Sequence, residues 1–219
     1  MKNNLVATLA ILLLLGCNDS TPVADEKEDI VLNAPQTKNA SLSDYQNLFK
    51  YNNLDTFAID SFNWDTRIGK YKELDSTSFK LVWQDGKREF IGQGYDRDYL
   101  YSWQSRNPEF VEFTVLTQDE SSYCDLLYYI IQNKEGKTID KFLVATGCGD
   151  GGWSFQSSGR FISDSTYEAV AVEEEMVGFD QVDGSELIEG DSTITHFTIG
   201  KDGKVSEKEI FKTKISKKI

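Results

Sequence analysis

Residues 126–145 have the sequence Leu-Leu-Tyr-Tyr-Ile-Ile-Gln-Asn-Lys-Glu-Gly-Lys-Thr-Ile-Asp-Lys-Phe-Leu-Val-Ala. The segment Leu126–Gln132 is rich in Leu, Tyr and Ile, and Ile139–Ala145 mixes apolar with polar positions, which is typical of β-strands. Between them lies Lys134-Glu-Gly-Lys137. Because glycine adopts a positive φ at little cost, a Glu-Gly pair in this place indicates a hairpin turn. The stretch therefore predicts two antiparallel strands, and it sets the fold class of the chain.

The same pattern recurs on both sides of this hairpin. Period-two alternation marks three further strands, which are Phe110–Leu116, Thr166–Val172 and Ser192–Ile199. Asp-Gly turns occur at 84–87 and 201–204, without the even spacing of a sequence repeat. The long helical patterns that parallel crossovers need are missing. We therefore predict a mainly β fold for residues 41–219: a single antiparallel β-meander that forms a sandwich or a partly open barrel.

One short helix is predicted at the start of this domain. Ser41 is a suitable N-cap residue, and Asp44 lies near the positive end of the helix dipole. Leu42, Tyr45 and Leu48 then follow at helical spacing. We expect a helix of about ten residues whose apolar face packs on the sheet.

The middle of the chain contains an aromatic row. If residues 95–103 form a regular strand, four aromatic side chains share one face, namely Tyr95, Tyr99, Tyr101 and Trp103. An exposed row of this kind can stack on sugar rings, whereas a packed row is the inner face of a sheet. Because aromatic side chains bury a large area, we favour the core.

The N-terminus has the layout of a secretory signal. Lys2 is followed by the apolar run Leu5–Leu15, which is too short to span a bilayer as a stable helix, and then by Gly16 and Cys17. The order Leu-Leu-Gly-Cys resembles the lipobox of bacterial lipoproteins. The alternative is a buried core helix that ends in a cysteine.

The lipobox resemblance implies that residues 1–16 are a signal peptide and that Cys17 carries lipid as the first residue of the mature protein. Residues 17–40 are polar and contain two prolines, so we expect a flexible tether. The resemblance places the protein in the cell envelope, anchored to a membrane through its N-terminal lipid. We expect the outer membrane, with the body facing the periplasm or the cell surface.

The remaining cysteines, Cys124 and Cys148, form an even pair if Cys17 is lipidated. They lie at nearly equal distances from the turn Glu135–Gly136, so an antiparallel hairpin places them across from each other. We therefore predict a Cys124–Cys148 disulfide. The alternative is two free thiols, but a nucleophilic thiolate needs a base, and the chain has a single histidine, His196.

The chain is strongly acidic, with 36 Asp and Glu against 23 Lys and Arg and a formal net charge of -13. An acidic protein repels phosphate backbones, so nucleic acid is not an expected partner. The same charge disfavours binding to anionic lipid surfaces, so we expect attachment by the covalent lipid alone.

Nine acidic residues and no basic residue lie between Ser165 and Asp191. We interpret this segment as a solvated acidic loop that joins two strands. Its spacing does not match a calcium-binding loop, and the chain lacks the His and Cys clusters of a zinc site. We therefore predict no metal, no cofactor and no catalytic residue. A carboxylate pair of the kind glycosidases use is the remaining catalytic alternative.

The segment Cys148-Gly-Asp-Gly-Gly-Trp153 is the most unusual part of the body. Its glycines permit a bulge or a tight exposed loop, and a disulfide at Cys148 would hold one end of it rigid. The candidate binding loop therefore consists of Gly149, Asp150, Gly151, Gly152 and Trp153. The alternative is a purely structural bend.

Residues Tyr128–Trp153, with their strand, Lys-Glu-Gly-Lys turn, strand and glycine-rich loop, resemble envelope lipoproteins of Gram-negative bacteria that lack an assigned activity. The resemblance implies a β-rich body in the envelope and carries over no catalytic residue. We expect a non-catalytic lipid-anchored protein: a binding, immunity or assembly factor for an unknown envelope protein or glycan. The alternative function is a carboxylate-dependent glycan hydrolase.

Overall fold

The computed structural model describes residues 41–59, 67, 69–91, 94 and 96–219. The predicted signal peptide (1–16), the lipidation residue Cys17 and the tether (17–40) lie outside the described residues, and so does Tyr95.

Within the described residues, the chain forms eleven strands and two short helices. A 3₁₀ helix spans Leu42–Leu48, and α1 spans Ser76–Val82. The strands are β1 (Tyr51–Asn52), β2 (Thr56–Phe57), β3 (Lys72–Glu73), β4 (Arg97–Gln104), β5 (Val111–Asp119), β6 (Cys124–Gln132), β7 (Thr138–Asp150), β8 (Trp153–Phe161), β9 (Thr166–Phe179), β10 (Glu186–Ile199) and β11 (Val205–Lys218).

All of these strands belong to one open sheet with the order β1-β4-β5-β6-β7-β8-β9-β10-β11. From β4 to β11 every strand pairs antiparallel with the next strand in sequence. The short strands β2 and β3 pair antiparallel with β8 and β4, and only β1 runs parallel to its partner β4. The predicted mainly β, antiparallel meander is therefore confirmed.

Both faces of the central strands are covered. In β6, Leu127 and Tyr129 belong to one buried cluster and Ile130 to another, because successive side chains of a strand point to opposite faces. The first, the inner cluster, lies within the curl of the sheet. There Tyr129 contacts Phe161, two strands away, at a ring distance of 5.4 Å. The second, the helix-side cluster, includes Leu42 and residues of α1.

The helices differ in detail from the prediction. The predicted N-terminal helix is present as a seven-residue 3₁₀ helix, and the Ser41 backbone N–H donates to the Asp44 carboxylate at 3.0 Å. The helix α1 was not predicted. It begins after Asp75, whose carboxylate accepts hydrogen bonds from the backbone of Thr77 and Ser78. Neither helix of the described residues has the length and apolar character that crossing a membrane requires.

The aromatic row of β4 does not share one face, so that part of the prediction is wrong. Tyr99 and Tyr101 join the inner cluster, whereas Trp103 joins the helix-side cluster together with Leu100. The cause is a register irregularity between Leu100 and Ser102, which inverts the alternation of the strand. The aromatic side chains nevertheless pack in the core, as expected.

The predicted acidic loop is also wrong, because residues 166–179 and 186–199 are the long strands β9 and β10. Residues 170–179 of β9 pair with 186–194 of β10, and 187–194 of β10 pair in turn with 211–218 of β11. We call the segments 170–179, 186–194 and 211–218 the ribbon. Lysines of β11 balance the acids of the ribbon: the Lys214 ammonium lies 2.9 Å from Asp191 and the Lys217 ammonium 2.7 Å from Glu174. The acidic residues of these strands therefore have lysine partners on β11.

Candidate functional site

The candidate binding loop is the tip of the hairpin between β7 and β8. Asp150 and Trp153 are paired across the two strands, so only Gly151 and Gly152 form the turn. Both have positive φ, 54° and 105°, which is the conformation that a type I′ two-residue hairpin turn requires and that glycine adopts readily. We call Gly149–Trp153 the hairpin tip. The predicted tight exposed loop is therefore a turn with defined geometry.

The predicted disulfide fixes the base of this tip. Cys124 of β6 and Cys148 of β7 are register partners, their Cα atoms are 4.1 Å apart, and they are bridged in the structure. Their unequal distances from the turn arise because β7 carries two additional residues, Val144 and Ile139, at register shifts opposite β6. The disulfide prediction is confirmed.

Two backbone hydrogen bonds connect the hairpin tip to its neighbours. The Gly149 N–H donates to the Tyr123 carbonyl oxygen at 3.2 Å, and the Met176 N–H donates to the Gly152 oxygen at 2.8 Å. The tip is thus held by the loop before β6 on one side and by β9 on the other. Together with the disulfide, these contacts limit its conformational freedom.

Trp153 is half-buried at the end of the tip and faces β9. Its indole N–H donates to the Glu173 carboxylate at 3.0 Å, and in the register it lies opposite Glu175. Glu173 and Glu175 are in turn opposite Asp191 and Glu189 of β10. We call these four carboxylates the acidic ledge.

The acidic ledge and Trp153 line a shallow depression of about 240 Å³. Lys214 also lines it, and a hydrogen bond from its ammonium group lowers the pKa of Asp191. The depression therefore combines an aromatic ring with negative charge, part of which Lys214 and Lys212 offset at Asp191.

Two larger grooves lie elsewhere on the sheet. A groove of about 470 Å³ beside β8 and β9 is lined by serines, Gln156 and Val172, and its end is formed by the Glu174–Lys217 ion pair. A groove of about 500 Å³ lies near the end of α1. There Asp85 is bound by Lys141 at 2.8 Å, and Asp140 accepts a hydrogen bond from the backbone of β11. The carboxylates that line both grooves are therefore already engaged.

The carboxyls with raised pKa lie in the core. Burial raises the pKa of Asp98, although Arg88 and a hydrogen bond from Thr117 oppose the effect. Burial also raises the pKa of Glu112, which accepts a hydrogen bond from the backbone of Asn107 at 3.0 Å. The depression beside Asp98 measures about 10 Å³, which is room for at most about one water molecule.

The single histidine has a structural environment. His196 lies opposite Glu168 in the β9–β10 register, and its Nε2 is 3.0 Å from the Glu168 carboxylate. Within the part of the chain that the structure describes, no group of three or more His, Cys, Asp or Glu side chains is arranged to hold a metal ion.

Sequence reasoning missed the acidic ledge as a neighbour of the hairpin tip. The signal was present, since Glu173 and Glu175, like Glu189 and Asp191, are spaced by two residues and so share a strand face. Interpreting the segment as a loop hid this periodicity. Trp153 and the ledge meet only through the β8–β9–β10 register.

Comparison with known proteins finds no family model that matches the chain, no similar curated protein and no similar solved structure.

Proposed function

We propose that this protein is a non-catalytic, lipid-anchored protein of the bacterial cell envelope that binds a partner through the hairpin tip. Cys17 is the proposed lipidation site, and the outer membrane is the proposed location. The single observation that carries the binding role is the exposed turn of Gly151 and Gly152, held at its base by the Cys124–Cys148 disulfide.

The rigidity of the hairpin tip supports a binding role. A loop that is ordered before it meets its partner loses less conformational entropy on binding, so more of the contact energy appears as affinity. The tip also presents Trp153, and tryptophan is among the residue types that contribute most to protein interfaces. The disulfide and the hydrogen bond from Met176 hold the backbone of the tip, and the hydrogen bond to Glu173 holds the indole ring.

The chemistry around Trp153 favours an envelope protein with a basic segment as the partner. A lysine or arginine side chain can form ion pairs with the acidic ledge and a cation–π contact with an indole ring. Such an interaction suits an immunity or assembly factor, which acts by occupying a partner. A glycan that stacks on Trp153 is the alternative partner.

The site geometry supports binding better than glycan hydrolysis. A glycosidase needs a carboxylic acid of raised pKa that faces the sugar, together with a second carboxylate. Asp98 and Glu112 have raised pKa values, but Asp98 borders a space of about 10 Å³ and Glu112 is buried in the sheet. In the acidic ledge, Glu173, Glu175 and Glu189 are exposed to water and Asp191 is half-buried, and all four line a shallow depression.

Lipid attachment is tested by metabolic labelling with an alkyne analogue of palmitate. The wild-type chain should be labelled and should sediment with membranes, whereas Cys17→Ser should lose both properties. Asn18→Ala is the matched control and should behave as the wild type. Label that persists in Cys17→Ser would contradict the proposed anchor.

The binding role is tested by placing a photoreactive amino acid at Asp150 in intact cells. We expect one discrete protein adduct, which Trp153→Ala reduces about ten-fold through lost contact energy. Phe90→Ala removes an exposed aromatic side chain from a different surface and should leave the adduct unchanged. An adduct insensitive to Trp153→Ala would contradict the assignment of the tip. An adduct that glycosidases degrade would identify a glycan partner instead of a protein.

A further inference from the structure

The outer edge of β11 is a second candidate for an interaction, on a different strand from the hairpin tip, and it shares Lys214 with the depression beside Trp153. Among the described residues, β11 pairs with β10 alone and ends the sheet. It is 14 residues long. An edge strand presents a row of backbone N–H and C=O groups that another strand can join.

The hydrogen-bond alternation shows which residues of β11 face this edge. Glu186 and Ile219 exchange both backbone hydrogen bonds, at 2.9 and 3.0 Å. Counting back from Ile219, alternate residues bond to β10, so Lys214 and Lys212 direct their backbone groups outward. The same count from the Gly200–Lys204 turn directs Glu207 and Glu209 outward.

These four outward residues also share one face of the sheet. Each of them lies opposite a residue of β10, and these four partners are spaced by two residues, so they point to the same face of the sheet. The pairs are Glu207 with Phe197, Glu209 with Thr195, Lys212 with Thr193 and Lys214 with Asp191. In a regular strand, Glu209 and Lys212 would point to opposite faces. The register shift between Ile194 and Thr195 leaves Ile210 as an additional residue and brings them to the same face.

The charges of this edge are complementary to themselves. When two copies of β11 run antiparallel with Glu209 opposite Lys212, Glu207 falls opposite Lys214, and two-fold symmetry repeats both pairs. No other antiparallel register places both glutamates opposite lysines, because only Lys212 and Lys214 are spaced by two residues along β11. Ile210 and Phe211, which are 46% and 52% exposed, lie at the centre of the pairing.

We propose that β11 pairs with the same strand of a second copy, so that the two sheets join into one across a two-fold axis between Ile210 and Phe211. Lysines on an edge strand ordinarily prevent such pairing, because two identical edges repel. Here the symmetric register opposes each edge lysine with a glutamate. Glu207 and Glu209 make no ion pair within the described residues of their own chain, so they are available for the second copy.

The test measures self-association of the full chain in nonionic detergent by sedimentation velocity. We expect dimers at about 100 μM, and we expect Glu209→Lys and Lys212→Glu each to weaken dimerisation about ten-fold or more by placing like charges opposite each other. The double variant Glu209→Lys/Lys212→Glu restores opposite charges and should return to within about threefold of the wild type. Glu135→Lys and Lys80→Glu make the same charge changes away from the edge and should have no effect.

A wild-type chain that stays monomeric at about 100 μM overturns the proposal. A dimer that ignores both single reversals also overturns it, since association then uses another surface or residues 1–40. Failure of the double variant to recover overturns the register. Because Lys212 lies 3.5 Å from Asp191 of its own chain, circular dichroism must show that Lys212→Glu folds. Glu209→Lys breaks no such contact and tests the edge by itself.

Discussion

The central strands and the ribbon belong to the same sheet but are stabilised differently. In β6, Leu127 and Tyr129 are 0% exposed, and the other face of the strand is covered by the helix-side cluster. In the ribbon, Val177 and Phe179 are 52% and 58% exposed, and lysine–carboxylate pairs connect the strands. The same antiparallel hydrogen bonding between strands thus occurs where both faces of the strands are buried by apolar side chains and where charged side chains lie at the surface. The central strands are held by apolar packing on both faces, and the ribbon is connected by ion pairs at its surface.

The largest expected effect compares one ion pair from each region. Asp125→Ala leaves the Arg67 guanidinium, 2.6 Å away, as an uncompensated charge in the core, and should lower the free energy of unfolding by about 3–5 kcal/mol. Asp191→Ala removes the partner of Lys212 and Lys214 on the exposed ribbon and should leave the urea midpoint almost unchanged. Equal effects of the two variants in urea titrations would break the comparison.

Removal of the disulfide tests how the central strands support the hairpin tip. The double variant Cys124→Ser/Cys148→Ser removes a crosslink between residues 24 positions apart. Because the unfolded chain then gains conformational entropy, the free energy of unfolding should fall by about 3.5 kcal/mol. Hydrogen exchange should accelerate more at the tip than in β10. The wild type with reductant should match the double variant, and the double variant itself should not respond to reductant. If hydrogen exchange accelerated equally over the whole sheet, the disulfide would not be supporting the hairpin tip locally.

At Gly190 the ribbon should be as sensitive to a substitution as the buried central strands are. A methyl group at this position would overlap the backbone oxygen of Glu173 on the neighbouring strand. Gly190→Ala should therefore separate β9 from β10 and cost about 1–3 kcal/mol, although Gly190 is only half-buried. Ser192→Ala, two residues along the same strand, is the control and should change the urea midpoint little. Equal midpoints for the two variants would show that the ribbon tolerates separation.

The smallest expected effect concerns pH. Burial raises the pKa of Glu112 above its usual 4.5, so the folded protein keeps this proton at pH values where the unfolded chain has released it. The free energy of unfolding should therefore fall as the pH rises from 4.5 through the folded-state pKa. Glu112→Gln lacks this proton and should show a smaller fall in urea titrations at successive pH values. Glu135→Gln, in an exposed turn, should follow the wild type. Parallel curves for wild type and Glu112→Gln would contradict the role of burial.

The sequence predicted the parts of the fold that depend on local pattern. The hairpin of Leu126–Ala145 and the disulfide followed from alternation, a glycine turn and nearly equal distances from that turn. The inverted face of Trp103 could not be predicted, because the irregularity after Leu100 arises from pairing with β5. The helix α1 was predictable in principle from the N-cap Asp75, but seven residues give little periodicity.

The ribbon and the candidate site were harder to predict because their partners are distant in sequence. The acids around Glu174 find their partners in lysines such as Lys217, which follow more than forty residues later. Likewise Trp153 meets Glu173 only once β8 and β9 are in register. A local window contains the acidic residues without their counter-charges, and so it indicates a loop.

The consecutive pairing of β4 to β11 also bears on how the chain reaches its fold. Each strand finds its partner across a connection of two to six residues, from Gly151–Gly152 between β7 and β8 to 180–185 between β9 and β10. Closing such short loops costs little entropy. When the chain is synthesised from its N-terminus, each new strand can therefore pair with the strand that precedes it. The edge of β11 is the last one formed, and in the described chain no later strand covers it.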